Sequence, residues 1–189
     1  MVRQRIDLEH VIACAVTLVD HEGLDELILA RVADELGVQA SALYNHVEGL
    51  EGLRRAVASQ SRDNLAGALR DAAVGRAGDA ALREVARAYR DFARSHPGQY
   101  ASTLLPASGP TDPAHAAIEG VLTRILETYG LVGDRLVHTA RVVRSAVHGF
   151  VTLEAADSFT NPQDSDETFD QLLDFIVRGL FTTPRELTA

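Results

Sequence analysis

The chain is predicted to be all-α, with about nine helices, on three observations. Apolar residues recur at spacings of three and four in one segment after another, no stretch alternates as a strand would, and Gly, Asn-Pro and Asp-Pro signals divide the periodic segments. With 189 residues and 46% hydrophobic content, the chain is long enough for one two-part protein or two small domains.

Arg3 and Arg5 form a short basic arm, and Asp7 is an N-cap candidate for a first helix running to about Glu22. Its stripe of Leu8, Val11, Ile12, Ala15, Leu18 and Val19 can cover neighbouring helices, and Gly23 ends it. After Asp25 comes a second helix with Leu29, Val32, Ala33 and Leu36 on one face. Gly37 directly follows the last periodic position, where a left-handed residue closes a helix, and Val38 turns inward. A third, short helix is expected from about Ala40 to His46, carrying Ala42, Leu43 and Tyr44, so residues 28–53 have a helix-turn-helix pattern.

A long fourth helix starts near Leu50 with Leu53, Val57, Leu65 and Leu69 on one side. Gly75 and Gly78 interrupt the pattern, and Asp79 is expected to cap a helix bearing Leu82, Val85, Tyr89 and Phe92. His96-Pro97 stops that helix, a short helical turn covers about Gly98 to Leu104, and Pro106 to Pro110 reads as a loop. Asp112-Pro113 reads as N-cap and first-turn proline for a helix with Ile118, Val121, Leu122, Ile125, Leu126 and Tyr129, closed by Gly130. The last two helices span about 133–156, with Leu136, Val137, Ala140, Val143, Val147, Phe150 and Val151, and about 166–182, with Phe169, Leu172, Leu173, Ile176, Leu180 and Phe181. Asn161-Pro162 lies in the loop between them.

The run Ala33-Asp34-Glu35-Leu36-Gly37-Val38, followed by Ala42-Leu43-Tyr44 and His46-Val47, resembles the DNA-binding segment of the TetR family of transcriptional repressors. The motif covers about the first 55 residues, and the remainder matches by length and helical layout. Val147-His148-Gly149-Phe150 with Leu153-Glu154 is similar to a C-terminal motif of one subgroup. The resemblance implies a DNA-binding head over 1–49 and a ligand-binding and dimerisation body over 50–189. It also implies a cytoplasmic repressor released from operator DNA when a small molecule occupies the body.

Candidate base-reading groups in the third helix are Gln39, Ser41 and Asn45, with Ala40 in the same turn, because Asn and Gln can pair bidentately with adenine in the major groove. Tyr44, His46, Arg3, Arg5, Arg54 and Arg55 are the candidates for backbone contact. The head departs from the family pattern: Ile28, Leu29 and Ala30 stand where relatives carry hydroxyl or basic residues, and Leu50 stands where they carry lysine. All 18 basic residues of the chain are arginine, the formal net charge is −9, and residues 1–55 hold five arginines against ten carboxylates. Such a head holds phosphate weakly, so the alternative function is a helical ligand-binding or protein-interaction dimer whose head has lost operator affinity.

Two short recognition helices require two-fold pairing, for which the wide apolar faces at 133–156 and 166–182 are the expected surfaces of a homodimer. An effector pocket is expected among Tyr89, Phe92, Tyr100, Leu104, Leu122, Ile125, Phe150 and Leu153, with Arg141, His148 and Glu154 as polar anchors for a largely apolar molecule. No catalytic, cofactor or metal site is expected. The seven histidines form no HExxH pair, Cys14 is a lone cysteine on an apolar helix face, and there is neither a phosphate-binding glycine loop nor a nucleophile elbow. No apolar run is long enough to span a membrane.

Overall fold

In the computed structural model, residues 6–106 and 112–181 are described, and among them the regular structure is entirely helical. In chain order the helices are α1 Leu8–Glu22, α2 Leu29–Glu35, α3 Ala40–Leu43, α4 Gly49–Ala73, α5 Gly78–Ser95, α6 Pro97–Thr103, α7 Pro113–Glu127, α8 Gly133–Ala155 and α9 Ser165–Phe181. A single 3-10 turn, Leu24–Glu26, joins α1 to α2. The chain divides into two compact units, residues 1–68 with 92–118, and residues 69–91 with 119–189. The expected head therefore lies within the first unit, together with most of α4, all of α6 and the start of α7.

The first unit is built on the α1 stripe. Val11, Ala15 and Val19 are fully buried with Leu27, Val32, Leu43, Leu53 and Val57, so α1 to α4 share one core. Asp7 caps α1 by accepting the His10 N–H at 2.9 Å, as its position before the stripe suggests. Asp112 likewise caps α7, its Oδ1 accepting from Ala114 N at 3.0 Å and His115 N at 3.3 Å. The other Asp112 oxygen accepts from Arg62 at 3.0 Å, in an ion pair whose side chains are only 2% and 4% exposed. Arg62 also donates to the carbonyls of Thr103 and Leu105. A buried guanidinium in the middle of α4 thus fastens the end of α6 and the start of α7 to that helix, with its charge matched and its donors used.

The second unit buries Leu82, Leu126, Val143, Val147, Phe169, Leu173 and Val177. Its α5 begins at Gly78, so Asp79 falls inside the first turn, and its carboxylate accepts the Tyr129 hydroxyl at 2.6 Å. Burial, reinforced by that bond, pushes the Tyr129 phenol up. Arg90 on α5 makes a two-pronged pair with Glu154 on α8 at 2.9 and 2.6 Å and reaches Asp166 on α9 at 2.8 Å. Its guanidinium lies over the rings of Phe150 and Phe169, at 5.3 and 4.7 Å from their centroids.

Candidate nucleic-acid interface and effector region

The turn between α2 and α3 follows from Gly37. With φ at +66°, this residue occupies the left-handed region, and its N–H donates to the Asp34 carbonyl while Val38 N–H donates to the Ala33 carbonyl at 2.9 Å. These two bonds are the Schellman closure of a helix, and they point Val38 back toward the core. Gln39 then occupies the N-cap of α3 in extended conformation, its carbonyl taking the Ala42 N–H at 2.9 Å while its side chain makes no cap bond. The third helix is shorter than its expected reach to His46. It ends at Leu43, and residues 44–46 continue as turns with His46 N and Val47 N both donating to the Leu43 carbonyl.

Around this short helix the inward positions are Leu43, fully buried, and Val47. Gln39, Ser41, Tyr44 and Asn45 are exposed, Tyr44 at 63%, whereas Ala40 and His46 are half-buried. A flat, rigid phenol left two-thirds exposed beside three uncharged polar side chains gives α3 one free polar face, with the chemistry to pair with base edges and accept or donate at phosphate oxygens. Arg3 and Arg5 lie outside the described residues.

The described arginines of the head are already engaged. Arg31 pairs with both oxygens of Glu22 and reaches Glu35 at 3.3 Å, Arg54 reaches Glu51 at 3.3 Å, and Arg55 reaches Glu48 at 3.1 Å. The Glu22 bond, backed by its charge, raises the Arg31 guanidinium above even its ordinary value. Ile28 caps α2 with no side-chain hydrogen bond, as expected of an aliphatic residue there.

The head is held from below by α6, a relationship that no motif in the sequence announces. Asp20, near the end of α1, accepts the Gln99 backbone N–H at 2.8 Å and its side-chain amide at 2.6 Å, and lies 2.9 Å from His96 Nδ1. Gly98 makes this approach possible, because a Cβ there would sit 1.8 Å from the Val19 carbonyl oxygen. Gln99 also accepts from Asn64 on α4 at 2.7 Å.

The expected effector residues fall in both units. In the first, Phe92 and Tyr100 are buried and Leu104 is exposed. In the second, the Tyr89 hydroxyl lies 3.2 Å from His148 Nδ1, Phe150 and Ile125 are buried, Leu122 is half-buried, and Leu153 and Arg141 are exposed. Burial, with the nearby Arg144 charge adding to it, lowers the His148 pKa below its ordinary value. Glu154 is neutralised by Arg90, which makes it a fixed wall rather than an open anchor. Arg90 carries no motif of its own in the sequence, and only its aromatic and carboxylate neighbours reveal its role. Burial raises the Cys14 thiol, as suits a half-buried packing residue. Among the described residues no three His, Cys, Asp or Glu side chains are grouped to hold a metal ion, and no helix is long and apolar enough to cross a membrane.

The family described as Tetracyclin repressor-like, C-terminal domain, matches residues 82–176, half of the chain. The HTH-type transcriptional regulator Rv0681 of Mycobacterium tuberculosis is 36% identical over 178 residues, covering 92% of this chain and 80% of the relative. The chain belongs to the TetR family. It is thus a TetR-family transcriptional regulator with a helix-turn-helix head. The HTH-type transcriptional regulator YobS of Bacillus subtilis is 28% identical over 179 residues, 94% of both chains. Among solved structures, a TetR variant of Acinetobacter baumannii in complex with minocycline is 27% identical with a TM-score of 0.70, covering 93% of this chain and 96% of that one. In this TetR-family chain the turn and core of the motif are complete, while the described arginines around it are paired with carboxylates at the surface.

Proposed function

We propose that this regulator is a homodimeric repressor whose α3 helices read two operator half-sites and whose body, residues 50–189, holds a small molecule that releases the DNA. The observation that carries the reading is the fastening of α1 to α6 through Asp20 and Gln99, because a shift of α6 is then felt at the head without passing through a flexible linker. Ligand that prefers one position of α6 changes operator affinity by the difference in its affinity for the two states. The minocycline-bound relative supports a small-molecule effector for this body. Tyr89, Phe92, Tyr100, Leu104, Leu122, Ile125, Arg141, His148, Phe150 and Glu154 remain the proposed effector surroundings, and Gln39 to Asn45 with Tyr44, His46, Arg3, Arg5, Arg54 and Arg55 the proposed DNA contacts.

Pairing is assigned to α8 and α9. Val142 is 66% exposed on α8, and Phe175 and Phe181 are 70% and 66% exposed on α9, an apolar surface that a second copy would cover. Phe175→Arg should convert the dimer to monomer in sedimentation experiments; an unchanged dimer would reject this surface. Acting on chromosomal DNA, the protein works in the cytoplasm.

A second reading has its own support. With Arg31, Arg54 and Arg55 all bound to carboxylates, the head could serve a dimer that no longer grips an operator. Transcription from a reporter fused to the DNA flanking its own gene separates the two. Lower expression when the protein is present supports the repressor, and identical expression with and without it supports the second reading.

A further inference from the structure

The second unit contains a groove of about 360 Å³ at the end of α4, its connection to α5, and the C-terminal half of α7. Its apolar wall includes Val74, Val121 and Ile125, and three arginines, Arg70, Arg76 and Arg124, stand around it. Arg76 is steadied by the Ala72 and Val74 carbonyls at 3.2 and 3.3 Å, with Glu84 at 4.0 Å. Arg70 and Arg124 are exposed and make no ion pair among the described residues. That is uncommon in this chain, where carboxylates outnumber arginines 27 to 18 and most of the described arginines are paired.

We propose that this groove binds a small amphipathic anion, a carboxylate on an alkyl chain, with the chain against Val121 and Ile125 and the head group between Arg70 and Arg124. The volume falls within the range of small-molecule sites, and an apolar lining with a few converging polar groups is their usual composition. Guanidinium groups match a carboxylate in plane and in hydrogen-bond geometry, and neither arginine has to break an ion pair with a described residue to receive it. The groove holds Ile125 of the proposed effector set and none of the other nine, so its ligand chemistry is a separate assertion from operator release.

Calorimetric titration of the full chain with sodium decanoate, in the absence of DNA, tests the site alone. Saturable binding of one decanoate per chain is expected, with decan-1-ol and acetate each weaker by roughly tenfold or more, since one lacks the charge and the other the apolar chain. The double variant Arg70→Gln/Arg124→Gln should weaken decanoate roughly tenfold or more, and Arg135→Gln, an exposed arginine on α8 outside the groove, should leave it unchanged. Both groove substitutions are at exposed positions, and a circular dichroism melt matching the wild type verifies their fold. Absence of saturable decanoate binding, equal affinity for decan-1-ol, or wild-type affinity in the double variant would overturn the proposal. A gel shift with and without decanoate reads operator release separately, and its result bears on the repressor reading alone.

Discussion

Asp20 accepts two hydrogen bonds from the single residue Gln99, one from its backbone and one from its side chain, across 79 positions of sequence. A largely buried carboxylate so used holds the last turn of α1 against the first turn of α6. Asp20→Ala leaves the buried Gln99 backbone donor unmatched and should cost about 1–3 kcal/mol, lowering the melting midpoint by several degrees. Gly98→Ala should destabilise at least as much, because its methyl group meets the Val19 carbonyl oxygen. Gly120→Ala on α7, where nothing stands within 4 Å, should instead be neutral or stabilise by about 0.5–1 kcal/mol. Thermal melts by circular dichroism check all three; a Gly98→Ala midpoint equal to that of Gly120→Ala would refute the close approach.

If the head reads an operator as proposed, its carboxylates limit the grip by holding Arg54 and Arg55. Glu48→Gln and Glu51→Gln release Arg55 and Arg54 while keeping side-chain size, so the double variant should bind operator more tightly. Its affinity should also fall more steeply with salt, by about one unit of slope for each further phosphate that an arginine reaches. Fluorescence anisotropy across a salt series measures both, and an unchanged slope would mean that these arginines do not reach phosphate.

His148 gives the body a pH dependence. Its folded pKa lies below the ordinary value of 6.5, so the unfolded chain takes up a proton that the native site refuses. The stability this confers is complete above about pH 6.5 and is lost as pH falls from there toward the lowered folded value. Urea midpoints measured from pH 7.5 to 5.5 should therefore fall less for His148→Gln than for the wild type. Parallel curves would show that His148 titrates as it does in the unfolded chain.

Local rules carried the fold a long way. The α1 stripe, the Gly37 closure and the Asp112-Pro113 start are contained within a few residues each, and each appears where periodicity and capping place it. The early end of α3 escaped because Tyr44 and His46 are compatible with helix, and only the three-residue bonds from Asn45 N to Ala42 and from His46 N to Leu43 decide for a turn. What joins distant segments was not legible. Arg62 resembles any exposed arginine of a long helix until Asp112, fifty residues on, is brought beside it. Gln99 has no periodic signature at all. Likewise, counting charges revealed an acidic head, but not that each described arginine within it is already paired.

The most direct measurement is a footprint on the DNA flanking the protein's own gene, at low salt, with wild type and with Gln39→Ala/Asn45→Ala. Two protected half-sites about one helical turn apart are expected, lost in the variant while its melting midpoint is retained. No protected site for the wild type, or the same protection in both proteins, would contradict DNA reading by this face of α3.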